Sequence, residues 1–163
     1  MRSMLFVPGD RPERFAKALS SGADTVICDL EDAVTPVTRP QARLNVADLL
    51  RATGRSIPLW VRINPVQTDD ALPDLAAVVA ARPDGIVLPK ARHGADLHRL
   101  DHWLEALEAQ HGHSCGSIKV IALITETAQA VLSGSSFTAP PPRVIGYTWG
   151  AEDLAADVGA SAN

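Results

Sequence analysis

Six short apolar runs recur along the chain, each is followed by polar residues, and after each of the first five comes a segment with helical spacing. This repetition constrains the fold more than any other feature of the sequence. The runs are rich in Val, Ile and Leu and are bounded by Gly, Pro or polar residues, as buried parallel strands are. We predict strands at Ser3–Val7, Thr25–Asp29, Leu59–Asn64, Gly85–Leu88, Lys119–Ile124 and Arg143–Trp149.

The segments between these runs carry apolar residues at helical spacing and start or stop signals of helices. We predict helices over Pro12–Ser21, Pro40–Thr53, Asp70–Ala81, Ala95–Gln110 and Thr127–Ser133. The stretch Ser133–Pro142 contains Gly134 and three successive prolines, which predicts a loop. Six such units in 163 residues give about 27 residues per unit, which fits repeated strand–helix–strand motifs.

Charged or otherwise special residues follow nearly every predicted strand. A doubly wound sheet gathers its ligand groups near one switch point, whereas a barrel brings the carboxyl ends of all strands around one mouth. The distribution therefore favours an α/β fold of the TIM type, a (β/α)8 barrel. A complete barrel has eight strands and about 250 residues, and this chain supplies about six βα units. We expect one barrel domain over residues 1–163 that lacks its C-terminal part and ends in the loop after the sixth strand.

Composition excludes several classes of protein. The net charge of −4 and the aromatic content of 4% give no basic or base-stacking surface, so we expect no nucleic-acid partner. No apolar run reaches the roughly 18 residues of a membrane span, so we expect no membrane partner. We interpret Cys28 and Cys115 as free thiols, which is typical of the reducing cytoplasm.

Asp29-Leu30-Glu31-Asp32 places three carboxylates at the end of an apolar strand. Such groups cost desolvation energy unless they bind a cation or accept hydrogen bonds. Strand alternation puts Asp29 and Glu31 on one face and Leu30 on the other. The pattern favours a functional site, and a helix cap followed by a solvated loop is the alternative.

Two further acids, Glu126 and Asp153, follow the fifth and sixth predicted strands. Alternation groups Glu126 with Ala122 and Ile124, and a barrel-lining face there would direct its carboxylate into the mouth. Acids at the ends of neighbouring strands can share one ion, and all-oxygen ligands suit Mg²⁺. The alternative for each acid is a position at a helix N-terminus, where the helix dipole favours negative charge.

One cation lies within the third predicted strand and another follows the fourth. Arg62 is an arginine inside an apolar strand, where its planar fork suits a carboxylate, and a structural ion pair with one of the acids is the alternative. Lys90 could form a Schiff base, hold an anion, or lie solvated in a loop. The turn at Pro8-Gly9-Asp10-Arg11 joins a strand to a helix and could hold an anion through backbone N–H groups.

Taken together and in order, these motifs resemble the citrate lyase β-chain family, which includes malyl-CoA and citramalyl-CoA lyases within the HpcH/HpaI aldolases. The set is Ser3-Met4-Leu5-Phe6-Val7-Pro8-Gly9 with Arg11-Pro12, Asp29-Leu30-Glu31-Asp32-Ala33-Val34, Val61-Arg62-Ile63-Asn64, Leu88-Pro89-Lys90, Glu126-Thr127 and Gly150-Ala151-Glu152-Asp153-Leu154. It covers nearly the whole chain. One departure is Ala91-Arg92-His93-Gly94, where relatives often carry an acid.

The resemblance implies a (β/α)8 barrel and a Mg²⁺-dependent carbon–carbon lyase, with Mn²⁺ as an alternative ion. It implies cleavage or formation of a 3-hydroxyacyl-CoA-type ester such as citryl-, malyl- or citramalyl-CoA. We expect a small-molecule carboxylate or CoA-ester substrate, a cytoplasmic location and a homo-oligomer. The alternatives are a 2-keto-acid aldolase that needs no CoA and a non-catalytic barrel subunit.

The resemblance also implies roles for individual residues. It gives Glu126 and Asp153 as metal ligands, Arg62 as the anchor of the substrate carboxylate, and Glu31 and Asp32 as acids near the metal-bound waters. The backbone amides of Ala151, Glu152 and Asp153 are implied as further substrate donors, and Pro8, Gly9 and Arg11 as contacts of the CoA moiety.

Overall fold

The computed structural model describes residues 2–52 and 57–160. Within these ranges it contains the six predicted strands, and their ends move by at most two residues. β3 ends at Arg62 rather than Asn64 because the Asn64 N–H donates to the Asp74 carboxylate. The strands are β1 (Met4–Pro8), β2 (Thr25–Asp29), β3 (Leu59–Arg62), β4 (Gly85–Leu88), β5 (Lys119–Leu123) and β6 (Val144–Thr148).

The five predicted helices are present, and two helical segments were not predicted. The helices are α1 (Phe15–Leu19), α2 (Arg39–Arg51), α3 (Ala71–Val78), α4 (Gly94–Gln110), α5 (Ala128–Leu132) and α6 (Ala151–Asp157), with 3-10 turns at Pro12–Arg14, Val79–Ala81 and Gly134–Phe137. The segment read as a loop after the sixth strand is therefore helical, since its Ala and Leu residues are strong helix formers. The turn Gly134–Phe137 interrupts the predicted loop in the same way. The predicted end of the second helix, Thr53, lies outside the described residues.

All six strands run parallel, and the sheet has the order β1-β2-β3-β4-β5-β6. Each strand thus lies beside its neighbour in sequence. A doubly wound sheet would reverse this order at its switch point. The sequential order is that of a (β/α) barrel wall, which confirms the predicted fold class, and the chain covers part of such a barrel.

The inner strands β2 to β5 bury most residues on both faces, and alternation sorts their side chains into two cores. The larger core lies between the sheet and the helices and includes Cys28 and Leu30 of the β2 segment. The smaller core lines the inner face of the sheet and consists of Ile27, Trp60, Val87, Ile121 and Leu123, with Met4 packed against it. Both cysteines are free, Cys28 buried and Cys115 exposed, as the sequence predicted.

The two outer strands leave apolar side chains uncovered. β1 and β6 each pair on one side only within the described chain. Phe6 of β1 is 46% exposed and Tyr147 of β6 is 40% exposed. Of the helices in the described ranges, none has both the length and the apolar character that crossing a bilayer requires.

Candidate functional site

Asp29 and Arg62 form the base of the candidate site at the carboxyl ends of β2 and β3. They are register partners on these two strands. Each lies two residues after an inner-face residue, Ile27 for Asp29 and Trp60 for Arg62. The guanidinium donates from Nε to Asp29 Oδ1 and from Nη2 to Asp29 Oδ2, each at 2.7 Å. Asp29 is 1% exposed and also accepts the N–H groups of Glu31 and Ala33, each at 3.0 Å. The fork that we expected to face a substrate carboxylate is thus engaged by Asp29.

Glu31 and Asp32 lie beside the third guanidinium nitrogen of Arg62. Nη1 is 3.1 Å from Glu31 Oε2 and 3.5 Å from Asp32 Oδ2. Glu31 is buried, and this burial raises the pKa of its carboxyl despite the nearby cations. Its Oε2 atom is buried and has no hydrogen bond among the described residues. Phe6 covers one face of the Arg62 guanidinium at 4.9 Å, a cation–π contact that helps to fix its plane.

Lys90 lies between the acids Glu31 and Asp32 and two further acids, Glu126 and Asp153. Its Nζ donates to Glu31 Oε1 at 2.5 Å and to Asp32 Oδ1 at 3.0 Å, and it lies 3.7 Å from Asp153 Oδ1. Burial alone would lower the pKa of Lys90, but the contacts with Glu31 and Asp32 outweigh it and raise the pKa. Lys90 also adopts a left-handed backbone with φ of 49°, which is uncommon for a residue with a side chain. Of the three interpretations of Lys90, the structure favours the partner of anionic groups.

Glu126 is a buried carboxyl at the end of β5. It is 2% exposed, and Oε2 accepts the backbone N–H of Lys90 at 2.5 Å. Burial, and after it the negative charges of Asp153 and Glu31, raise its pKa to about 7, while the Lys90 contacts oppose the shift. The alternation argument for this residue was wrong. Ala122 belongs to the outer core and β5 ends at Leu123, so strand alternation does not reach Glu126.

Asp153 lies in the first turn of α6, directly after β6. Gly150, at the start of this helix, makes room for Glu126, since a Cβ there would lie 2.6 Å from Glu126 Cγ and 2.8 Å from Oε1. The Gly150 N–H donates to Thr125 Oγ1 at 3.3 Å. The approach of β5 and α6 thus depends on a glycine, and it brings Asp153 close enough to influence the Glu126 carboxyl.

The donor chemistry of this cluster fits a hard divalent cation. The carboxyl groups are those of Asp29, Glu31, Asp32, Glu126 and Asp153, and the cations in contact with them are Arg62 and Lys90. Acids therefore outnumber cations, and a buried carboxyl with a raised pKa gains from a bound positive charge. Residues 2–52 and 57–160 contain no group of three or more His, Cys, Asp or Glu arranged around a metal position. Mg²⁺ commonly takes only one or two carboxylates and completes its shell with water and substrate.

The remaining predicted site residues lie on two segments at the same edge. The Gly9 N–H donates to the Asp29 carbonyl at 2.8 Å, and a Cβ at Gly9 would lie 2.8 Å from that oxygen. Pro8 ends β1, and the exposed Arg11 side chain lies 3.9 Å from Asp10. As the first residues of α6, Ala151, Glu152 and Asp153 have N–H groups that the helix itself does not use.

Sequence reasoning missed three features of this site. Asp29 was placed in the acid cluster but not recognised as the partner of Arg62, although equal register on adjacent strands would have paired them. The bridging position of Lys90 depends on contacts to residues 58 and 59 positions away, which no local pattern reveals. The close approach at Gly150 likewise has no signal in the sequence.

The comparisons with known proteins agree with the fold class and the family that the ordered motifs predicted. The model of the HpcH/HpaI aldolase/citrate lyase family matches residues 2–163. Citrate lyase subunit beta from Haemophilus influenzae is 35% identical over 153 residues, covering 93% of this chain and 52% of that protein. L-malyl-CoA/beta-methylmalyl-CoA lyase from Cereibacter sphaeroides is 35% identical over 166 residues, covering 97% of this chain and 50% of that protein.

A solved structure gives the same result. Protein CitE from Mycobacterium tuberculosis, in complex with magnesium, acetoacetate and coenzyme A, is 37% identical with a TM-score of 0.75, over 98% of this chain and 52% of that one. The chain spans about half the length of the curated relatives it matches. These matches confirm the resemblance carried by the ordered motifs, and the chain belongs to the HpcH/HpaI aldolase/citrate lyase family.

Proposed function

We propose that the protein containing this chain is a Mg²⁺-dependent carbon–carbon lyase of the aldolase or Claisen type. Its substrate would be a 3-hydroxyacyl-CoA-type ester such as citryl-, malyl- or citramalyl-CoA. The observation that carries the proposal is the buried Glu126 carboxyl beside Asp153, because its burial, together with the negative charges of Asp153 and Glu31, raises its pKa to about 7. The names of the relatives, citrate lyase subunit beta and malyl-CoA lyase, and the CitE complex with magnesium and coenzyme A support the same chemistry.

Glu126 and Asp153 would hold the ion, Mg²⁺ or alternatively Mn²⁺. When bound, the ion supplies a Lewis acid that polarises substrate oxygens and orients the substrate. Glu126 is held by the Lys90 N–H, and Asp153 is held near it by the first turn of α6. Lys90 would balance the charge of the acids from the other side without ligating the ion.

Arg62 would orient the substrate carboxylate. Because Asp29 engages Nε and Nη2, the nitrogen left for a substrate is Nη1, beside Glu31 and Asp32. Glu31 Oε2 lies 3.1 Å from Nη1 and accepts no hydrogen bond from the described residues, so a water or a substrate hydroxyl placed between the two side chains would find an acceptor there. Glu31 and Asp32 would in this way position metal-bound waters or a substrate hydroxyl.

Two backbone segments would complete the substrate site. The free N–H groups of Ala151, Glu152 and Asp153 at the start of α6 suit a carboxylate. The turn at Pro8, Gly9 and Arg11 lies at the same edge of the sheet, and the exposed Arg11 guanidinium suits an anionic CoA group. The start of α6 would bind the acyl part of the substrate, and the turn at Pro8, Gly9 and Arg11 would bind the CoA part.

We also propose that these six strands belong to a single eight-stranded barrel domain and that the enzyme is a cytoplasmic homo-oligomer. The uncovered side chains of Phe6 and Tyr147 support further strands beside β1 and β6. An eight-stranded barrel closes on itself, so none of its strands has a free edge.

The test is an activity assay on the full-length protein. Citryl-, malyl- and citramalyl-CoA are each supplied with Mg²⁺ or with EDTA, and the corresponding free hydroxy acids and hydroxy-keto acids are run in parallel. We expect Mg²⁺-dependent cleavage of at least one CoA ester. Cleavage of free acids alone would instead show a 2-keto-acid aldolase, and inactivity on every compound would favour a non-catalytic barrel subunit.

A further inference from the structure

Asn64 is buried two residues beyond the end of β3 and contacts the backbone of the acid cluster. It is 2% exposed. Its side-chain Nδ2 donates to the Leu30 carbonyl at 2.9 Å and to Asp74 Oδ2 at 2.8 Å. Leu30 lies between Asp29 and Glu31, within the segment Asp29–Asp32 that we call the acid turn. A single amide therefore ties the acid turn to a residue of α3.

Asp74 is itself fixed from several sides. It is 0% exposed, and Oδ2 also accepts the Asn64 backbone N–H at 2.7 Å. Its other oxygen accepts Arg43 Nε of α2 at 2.7 Å, and Arg43 Nη2 donates to Asp70 Oδ1 at 2.5 Å. A carboxylate with three donors, one of them cationic, is a rigid anchor, since releasing any partner would leave buried polar groups unsatisfied.

The anchor meets the acid turn at the point where both cations of the site are held. On one side of Leu30, Asp29 engages the fork of Arg62. On the other side, Glu31 engages Lys90 Nζ. A shift of the Leu30 carbonyl would therefore move both ion pairs together.

A second buried network of similar construction does not touch the site. Glu108 of α4 is 0% exposed and accepts the N–H groups of Gly116 at 2.8 Å and Ile118 at 2.9 Å. It also pairs with Arg143 Nη2 at 3.0 Å. Ile118 directly precedes β5, so this network lies at the amino ends of the strands, opposite the acid turn. It serves as a matched control because its loss should lower the free energy of unfolding without disturbing the candidate site at the carboxyl ends of the strands.

We propose that Asn64 is a positioning residue, which holds the acid turn against the Asp74–Arg43 anchor and thereby fixes the directions of Arg62 and Lys90. Only the catalytic consequence rests on the proposed function; the mechanical link stands on its own contacts. Asn64 is not a substrate contact in this proposal. It acts through the backbone carbonyl of Leu30.

Hydrogen exchange of single amides tests the mechanical link in the full-length protein. The N–H groups of Glu31 and Ala33 both donate to Asp29 and report on the acid turn, while the Ile118 N–H reports on the control network. We expect Asn64→Ala to speed exchange at Glu31 and Ala33 by about tenfold, since one buried anchor of a local unit is lost. Glu108→Gln should speed exchange at Ile118 and leave the acid turn unchanged.

A milder variant covers the case in which Asn64→Ala does not fold. Asn64→Ser keeps a buried hydroxyl, which leaves fewer unsatisfied groups but is too short to bridge Leu30 and Asp74. The same acceleration at Glu31 and Ala33 is expected. Equal exchange of these two amides in the folded Asn64 variant and in Glu108→Gln would overturn the proposal.

Steady-state kinetics on the same variants tests the catalytic consequence. At a temperature where all variants are folded, we expect kcat/KM for the CoA ester to fall about tenfold or more in the Asn64 variant, since small displacements of positioning groups are costly. Glu108→Gln should retain the wild-type value. A faster-exchanging acid turn with unchanged kcat/KM would overturn the positioning role. If the wild-type protein cleaves no ester, the proposed function fails, and the exchange data still decide whether Asn64 anchors the turn.

Discussion

Arg62 and Asp29 are register partners on neighbouring strands, and the guanidinium holds both carboxylate oxygens of Asp29 at 2.7 Å. Asp29 has two further backbone donors, so its burial is fully compensated. The pair engages one side of the guanidinium, and the other side, at Nη1, faces Glu31 and Asp32. Recognition of a substrate carboxylate by Arg62 therefore depends on the pair remaining intact.

We predict that Arg62→Lys keeps the charge but loses the fork. The KM for the carboxylate substrate should rise about tenfold and the free energy of unfolding should fall by about 1–3 kcal/mol. Mg²⁺ affinity should stay at the wild-type value, because Arg62 does not contact Glu126 or Asp153 in the proposed site. Enzyme kinetics, chemical denaturation and calorimetry measure the three quantities.

Arg143→Lys is the matched control for this experiment. Arg143 is also a buried arginine, with Nε 2.5 Å from Asp101 and Nη2 3.0 Å from Glu108. Arg143 lies at the amino ends of the strands, opposite the candidate site. The Arg143→Lys variant should therefore lose stability and keep its KM. An unchanged KM in Arg62→Lys would show that Arg62 serves only the structural pair.

We predict that Lys90 forms no imine with a keto-acid substrate. Its Nζ lies between Glu31 at 2.5 Å and Asp32 at 3.0 Å, and these contacts favour the protonated amine, which is not a nucleophile. Incubation with pyruvate and borohydride at neutral pH should leave the protein mass unchanged, while an imine-forming aldolase treated in parallel gains a covalent adduct. An adduct mapped to Lys90 would contradict the charge-balancing role.

Much of the fold was predictable because it depends on local patterns. Each buried strand is a β-branched or Leu-rich run, and the sequential order of the sheet follows from short strand–helix repeats. α6 was missed because Gly150 and the acids beside it resemble a loop. The alanines that make Ala151–Asp157 helical carry no amphipathic stripe.

The candidate site was predictable only in its composition. Acids after strands identified Glu31, Glu126 and Asp153 as candidates, but not which groups meet. Lys90 reaches Glu31 across 59 positions, and Glu126 reaches the Lys90 N–H across 36. Such contacts depend on how the loops close after the strands, and strand alternation ended too early to orient Glu126.

We predict that the Glu108–Arg143 pair makes the protein sensitive to acid. Burial alone would raise the pKa of Glu108, but the hydrogen bonds from Arg143, Ile118 and Gly116 outweigh it and lower the pKa. A carboxyl with a lowered folded-state pKa contributes stability above its unfolded pKa of about 4.3, and this contribution is lost as pH falls through the folded-state value.

The difference in unfolding free energy between the wild-type protein and Glu108→Gln should therefore be largest near neutral pH and shrink below about pH 4. Urea denaturation at a series of pH values measures it. Glu105→Gln, at an exposed position of the same helix, serves as the surface control. A difference that stays constant down to about pH 2–3 would contradict the lowered pKa of Glu108 in the folded protein.

We predict that a polypeptide of residues 1–163 on its own associates and shows no lyase activity. The outer strands β1 and β6 present unpaired backbone groups on one side, and Phe6, Ile145 and Tyr147 are exposed beside them. Such edges recruit other strands. Light scattering and the CoA-ester assay test this against the full-length protein, and a monodisperse, active monomer would contradict it.

We propose that Glu126 and Asp153 hold the ion that the reaction needs, and a calorimetric Mg²⁺ titration of the full-length protein measures whether they do. We expect the wild-type protein and the exposed control Glu105→Gln to bind Mg²⁺ equally. Glu126→Gln and Asp153→Asn should each weaken binding by about tenfold or more, since each removes one of the few carboxylates a Mg²⁺ site uses. Equal affinity in the wild-type protein and Glu126→Gln would contradict the assignment.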